Sequence, residues 1–158
     1  RPSLLSVAQG MQLWLEHLVY CASGGTGESR LFVRKEGEWR FPPLAQEQAQ
    51  GYLNDLVDGY LQGMSKPLLL LPESGGAWLK ACYDAEKDVI LMDEETQQKA
   101  RSKFLQTYEG NMVVSGEGAD IWYQRLWRSL EPAHYEEIIA QTQRYLLPLY
   151  RYHRSTQI

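Results

Sequence analysis

The chain has 158 residues, 44% apolar and 23% charged, with 20 acidic against 16 basic side chains and a net charge of -4. That length suits one domain, the composition excludes wholesale disorder, and the acidic excess argues against a small, uniformly basic DNA binder. No apolar run approaches the ~20 residues needed to cross a bilayer; the longest, Leu68 to Leu71, is fenced by Pro67 and Pro72. The first residues, Arg1-Pro2-Ser3, show neither Met nor a signal peptide and read as part of something longer. Cys21 and Cys82 are the only cysteines. Without a secretory segment they suit a reducing compartment and are expected as buried free thiols.

Residues 4–22 read as an amphipathic helix. Leu4, Val7, Met11, Leu15, Leu18 and Ala22 share a stripe at i, i+3/i+4 spacing, with Ser3 as N-cap and Ser23-Gly24-Gly25 as the stop. Arg30 to Lys35 and Glu38 to Phe41 flank Glu36-Gly37, which predicts a β-hairpin closed by Pro42-Pro43. Residues 44–64 predict a second helix with Leu53, Leu56, Val57, Tyr60, Leu61 and Met64 inward, weakened at Gly51, Gly59 and Gly63. Leu68 to Leu71 is an edge strand or an extended connection, because neither flanking proline can donate to a ladder.

Ser74 is expected to cap a helix through Trp78, Leu79, Cys82 and Tyr83. An acidic stretch from Asp84 to Glu95 sets six carboxylates against Lys87, and Asp93 caps a helix over 94–108 whose first turn holds Glu94 and Glu95. Gly110 to Gly118 is a loop. Asp120 then caps a helix over 121–130, with Trp122, Leu126 and Leu130 at i+4 steps. Pro132 opens the last helix, which runs to about Leu147, and a basic tail follows through Arg151, His153 and Arg154. The fold class expected is α+β, predominantly helical with a small β-hairpin or sheet.

The residues do not assemble a recognisable active site. Gly24-Gly25-Thr26-Gly27 leads into a predicted strand, and no Gly-Lys pair exists for a phosphate loop, so a flexible connector is expected there. A metal-dependent nuclease of the restriction-enzyme type needs Asp/Glu-x-Lys on a strand, where carboxylates hold Mg²⁺ and lysine helps activate water. The residues two before the six lysines are Val33, Met64, Trp78, Ala85, Gln97 and Arg101, none acidic. His17 with Cys21, and His134 with Glu137, are isolated pairs at ligand spacing that chance alone supplies. Three histidines and no nucleophile elbow leave nucleophilic catalysis unsupported.

Three surfaces invite a binding reading. Trp122, Arg125, Trp127 and Arg128 combine indoles that stack on bases with guanidinium groups that meet phosphates; the competing reading is an amphipathic helix with Trp122 and Leu126 inward. Arg30, Arg34, Lys35 and Arg40 on the hairpin form a second basic patch, with Arg34 and Arg40 as its candidate DNA contacts. After Glu137 no acid remains, and Arg144, Leu147, Tyr150, Arg151 and Tyr152 make an apolar, basic end. It is a candidate partner-docking surface, or a helix packed on its own domain.

Four blocks carry a resemblance: Trp14 to Val19, Gly37 to Leu44, Tyr108 to Met112, and Gly116 to Arg128. They closely resemble the C-terminal end of the RecC family, the gamma subunits of exodeoxyribonuclease V, the bacterial RecBCD complex. The resemblance covers essentially the whole chain. It implies a single compact C-terminal domain over 1–158. Residues 1–72 would be the tail of a degenerate restriction-endonuclease-like fold, related to the RecB nuclease but without its catalytic residues. Residues 73–158 would be a helical extension. It further implies a non-catalytic scaffold in a cytoplasmic helicase–nuclease for double-strand break repair and recombination. The partners would be RecB, RecD, duplex ends and single strands, with no membrane. No cofactor or metal is expected in this stretch, ATP and Mg²⁺ being used by the other subunits. Glu131 departs from good capping residues before Pro132.

Overall fold

The computed structural model describes residues 6–32 and 38–153, so Ser3, Leu4, the hairpin turn with Arg34 and Lys35, and Arg154 lie outside the described residues. The chain divides into two compact units, one of residues 1–66 and 151–158, the other of residues 67–150. Helices dominate both, and each holds one two-stranded antiparallel sheet.

The first unit contains α1 (Val7–Ala22), β1 (Ser29–Phe32), β2 (Glu38–Phe41) and α2 (Gln46–Ser65). Ser6 caps α1 by accepting from the Gln9 N–H at 3.1 Å. The buried stripe of α1 is Val7, Gly10, Trp14, His17, Leu18 and Cys21, whereas Leu15, expected inward, is 46% exposed. The reason is the hairpin. Trp39 of β2 lies over Gly10, its indole N–H donates to the Ser6 carbonyl at 3.0 Å, and this turns the helix about its axis. β1 and β2 pair with Arg30 opposite Arg40 and Leu31 opposite Trp39, alternating as the sequence predicts.

His17 ties three segments together. Its Nε2–H donates to the Pro42 carbonyl at 2.9 Å, and its Nδ1 accepts from the Ser29 hydroxyl at 2.8 Å. Trp14, Phe41, Tyr52 and Tyr152 complete an aromatic cluster around it, with Trp14 and Tyr152 stacked at 5.6 Å. In α2 the buried positions are Ala49 and Gly59, while Val57, Tyr60, Leu61 and Met64, expected inward, face outward. The small residues let α2 approach closely, so the large ones are left on the other side.

The second unit opens on an extended connection, Leu68 to Leu71, not a strand. It continues through α3 (Pro72–Cys82), β3 (Tyr83–Asp84), β4 (Val89–Ile90), α4 (Glu94–Glu109), a 3₁₀ turn (Glu117–Ala119), α5 (Ile121–Leu126) and α6 (Pro132–Tyr145). A short α7 (Leu147–Tyr152), where only a helix end was expected, leads back to the first unit. α3 packs on α4 and α6 through Trp78, Leu79, Cys82, Ala100, Phe104, Ile138 and Leu146. Gly75 allows the α6 crossing, because a Cβ there would lie 2.3 Å from the Thr142 hydroxyl. Ser74, expected as a cap, is inside the helix and buried; Pro72 takes its first turn and Leu71 the capping position. Asp93 caps α4 as expected, accepting from the Thr96 N–H at 2.9 Å. The acidic stretch folds into the β3–β4 hairpin, with Asp84 accepting from the Glu86 and Lys87 N–H groups and Asp88 taking a left-handed φ of 53°. Both cysteines are buried and free.

Two outcomes follow. Gly10→Ala places a methyl 2.4 Å from the Trp39 ring, and overpacking of this kind costs about 1–3 kcal/mol; thermal unfolding followed by circular dichroism will read it. Burial holds the His17 pKa below its ordinary value, partly offset by the Pro42 bond. The unfolded chain therefore binds the proton more readily, and stability falls as pH drops below about 6.5, levelling off below the depressed folded value. His17→Gln should flatten that limb of melting temperature against pH.

Candidate functional site

The residues expected to meet DNA lie apart. Arg34 is outside the described residues. On β2, the Arg40 Nε donates to Glu28 at 2.9 Å, and Arg30 pairs with the other oxygen of the same carboxylate. Bonds from Arg40 and then Arg30 hold the Glu28 carboxyl below the ordinary carboxylate range. An anion approaching Arg40 therefore competes with Glu28.

α5 brings two of the remaining residues together. Asp120 accepts from the Trp122 and Tyr123 N–H groups at 2.9 and 3.0 Å and so starts the helix where the sequence predicts. It ends at Leu126 instead of Leu130. So short a helix has one buried position, and Tyr123 takes it, with its ring 5.8 Å from Tyr108 and 5.3 Å from Trp127. Trp122 and Leu126 are consequently exposed, at 66% and 56%, which corrects the reading that packed them inward. The Arg125 guanidinium lies 4.9 Å over the Trp122 ring, a cation–π pair on the surface. Trp127 follows the helix in extended backbone and is half-buried, and Arg128 is exposed.

What holds α5 there is Glu117, which sequence reasoning passed over. α3 has no side-chain cap of its own. The Glu117 carboxylate supplies one from across the loop, accepting from the Glu73 N–H at 3.1 Å and the Ser74 N–H at 2.7 Å. Unpaired N–H groups and the helix dipole both favour a carboxylate at that point. Burial nonetheless raises the Glu117 pKa, the bonds from Ser74 and Glu73 opposing the shift. The connection depends on three glycines. Gly110 has a φ of 75°, a Cβ on Gly116 would lie 2.2 Å from the Tyr108 carbonyl, and one on Gly118 would meet the Tyr108 ring at 2.5 Å. The signal was there in Gly116-Glu117-Gly118, an acid between two glycines inside a loop.

The same loop carries an apolar tip. Gly110 and Ser115 form a bridge, and the Asn111 side chain accepts from the Val113 and Val114 N–H groups at 2.8 and 2.9 Å. Met112, Val113 and Val114 are thereby held out to solvent.

The residues expected to dock a partner are partly engaged within their own units. The Tyr150 hydroxyl donates to the Gly76 carbonyl at 3.4 Å, and burial pushes its pKa up. Tyr152 stacks on Trp14, and its hydroxyl accepts from the Gln48 side chain. Leu147 and Arg151 are half-buried. Arg144 is exposed, its guanidinium 5.2 Å over the Tyr145 ring. Among the described residues no three His, Cys, Asp or Glu side chains gather as metal ligands. His134 meets the Ser129 carbonyl at 3.2 Å instead.

Comparison with known proteins gives these features a setting. The family model described as the RecC C-terminal domain matches residues 1–83. The RecC subunit of the RecBCD enzyme of Escherichia coli K12 is 73% identical over 155 residues, covering 98% of this chain and 14% of that protein. RecC subunits from two Buchnera aphidicola strains, from Schizaphis graminum and Acyrthosiphon pisum, are 34% and 32% identical over 92% and 94% of the chain. These cover 13% and 14% of the relatives, so the chain spans about a seventh of their length.

Glu117→Ala leaves the α3 N–H groups unpaired, and losing a helix cap costs about 1–2 kcal/mol. Urea unfolding should show the loss. Gly116→Ala, which drives a methyl into backbone, should cost at least as much.

Proposed function

The chain belongs to the RecC family, matching the model of its C-terminal domain, and from that premise we propose that it is a non-catalytic scaffold of the RecBCD helicase–nuclease. In this reading it supports the assembly of RecC with RecB and RecD, and helps channel DNA strands during recombinational repair of double-strand breaks in the bacterial cytoplasm. The observation that carries the reading is the 73% identity to an RecBCD subunit along 98% of the chain. Two features support it. No lysine follows an acid at the nuclease spacing, and the polar groups with unusual environments, His17 and Glu117, are engaged in holding elements together. ATP and Mg²⁺ chemistry would belong to other subunits. The restriction-endonuclease-like ancestry of residues 1–72 and the helical-extension role of residues 73–158 belong to the same proposal.

Full-length RecC lacking residues 132–158 should retain RecD poorly on affinity purification with RecB and RecD. Assembly at the wild-type level would sink the scaffold reading. Hydrolysis of DNA by the purified chain with Mg²⁺, abolished by mutating its own carboxylates, would sink its non-catalytic part.

A second reading is favoured by one observation, the exposed Trp122 with Arg125 over one face. Its other face could stack a base, which is worth about 1–3 kcal/mol per base. Single-stranded oligonucleotide should then quench the Trp122 component of the fluorescence, identified with Trp122→Phe, and the quenching should weaken steeply with salt. An unchanged spectrum at low salt disposes of this reading.

A further inference from the structure

The hairpin of the first unit sets two like charges against each other. Arg30 and Arg40 are cross-strand partners, and like charges directly opposite weaken a strand pair. Trp39 and Phe41 turn inward, so by alternation both arginines stand on the outer face. Their relief is Glu28, the last residue before β1, and it is shared between them. One carboxylate oxygen accepts from Arg30, and the other accepts from the Arg40 Nε at 2.9 Å. Around this carboxylate two cations face one anion. Glu38, the other acid of the two strands, belongs to the next pair along the same face, opposite Phe32.

The grip on Glu28 is of a kind that another anion can replace. Glu28 and Arg30 are exposed and Arg40 is half-buried, and ion pairs so open to water contribute little to stability. The backbone beneath them is held firmly. Trp39 lies over Gly10, Phe41 is buried, and the Arg40 N–H donates to the His153 ring at 3.4 Å. The arginine stems are therefore pre-positioned, while a side-chain rotation is enough to withdraw the carboxylate. A phosphodiester offers the same recognition features, two oxygens on one centre sharing one negative charge, and guanidinium forks pair with either group.

We propose that Arg30 and Arg40 form a seat for a nucleic-acid phosphate, with Glu28 as the built-in occupant that the phosphate displaces. The proposal rests on the reading that this domain helps channel DNA strands, and it names the side chains that touch them. Glu28 then acts as a filter. A small anion competes poorly with a tethered carboxylate, whereas a strand held elsewhere in the complex brings its phosphates to the pair at high effective concentration. The arginines already hold the Glu28 carboxyl below its ordinary range, as a pair that attracts anions should.

The test is photo-cross-linking in the RecBCD complex assembled with full-length RecC. It carries p-benzoylphenylalanine in place of Phe32, two residues from Arg30 on the same face, or, as control, of Tyr60 on α2. Both positions are 69% exposed. With radiolabelled forked duplex, light should join DNA to position 32 at several times the control yield, and the yield should fall steeply with salt. Arg30→Ala combined with Arg40→Ala should bring it down to the control, and Glu28→Gln should raise it several-fold. A yield at the control level before any of these substitutions overturns the proposal. So does a yield indifferent to the arginine and Glu28 variants, or a cross-link to RecB or RecD instead of DNA. If the double arginine variant fails to assemble, Glu28→Gln decides alone, because it leaves both arginines in place. Co-purification of RecB and RecD with each variant reports separately on the scaffold reading, so the two can fail independently.

Discussion

The Glu117 carboxylate on the first turn of α3 is the constraint around which the second unit is organised. It is a long-range cap, joining positions more than forty residues apart, and it substitutes for the local capping side chain that Leu71 cannot provide. Its effect runs in both directions. α3 gains partners for two backbone donors that would otherwise face a water-poor surface. The loop gains a fixed anchor just before Asp120, so α5 starts in a defined place and turns Tyr123 inward and Trp122 outward. The price is the burial of a carboxylate, visible as a raised pKa, and glycines at 110, 116 and 118 remove the side chains that would block the approach.

The first unit solves a similar problem with a neutral group. His17 uses both ring nitrogens on groups from separate segments, a hydroxyl at the start of β1 and a carbonyl after β2. The aromatic rings around it exclude water and favour the uncharged form. Structural networks perturb ionisation as reacting sites do, and here both groups tie separate segments together.

Much of the fold was legible in the sequence where the deciding interaction is local. Asp93 with Glu94 and Glu95 announces α4, Asp120 announces α5, Pro132 opens α6, and the alternation of Glu38 to Phe41 marks β2. All of these depend on residues within one turn of each other. Several of the failures share one cause, which is that the deciding partner is distant. The α3 cap comes from Glu117. The rotation of α1 comes from Trp39 on Gly10. The outward face of α2 follows from close packing at Ala49 and Gly59, which a hydrophobic count overlooks because it weighs large side chains and ignores small ones. The i+4 spacing of Trp122 and Leu126 favours an inward face, but a helix of six residues is too short for periodicity to choose one. Arg40 was legible as basic, though not as a partner of Glu28, twelve residues earlier.

The division of the chain has a temporal consequence. The second unit is continuous from residue 67 to residue 150, whereas the first is made of two separated stretches, and Tyr152 and His153 from the later one lie against Trp14 and Trp39. On a ribosome the chain emerges in order at roughly 5–20 residues per second. All of α1 through α2 is therefore exposed for several seconds before the aromatic rings that complete its core are synthesised. In the second unit α3 likewise waits for α6 and the residues to Tyr150, which complete its core. The two cores are thus completed almost together although their first helices are made some sixty residues apart: Tyr150 is followed within two or three residues by Tyr152 and His153.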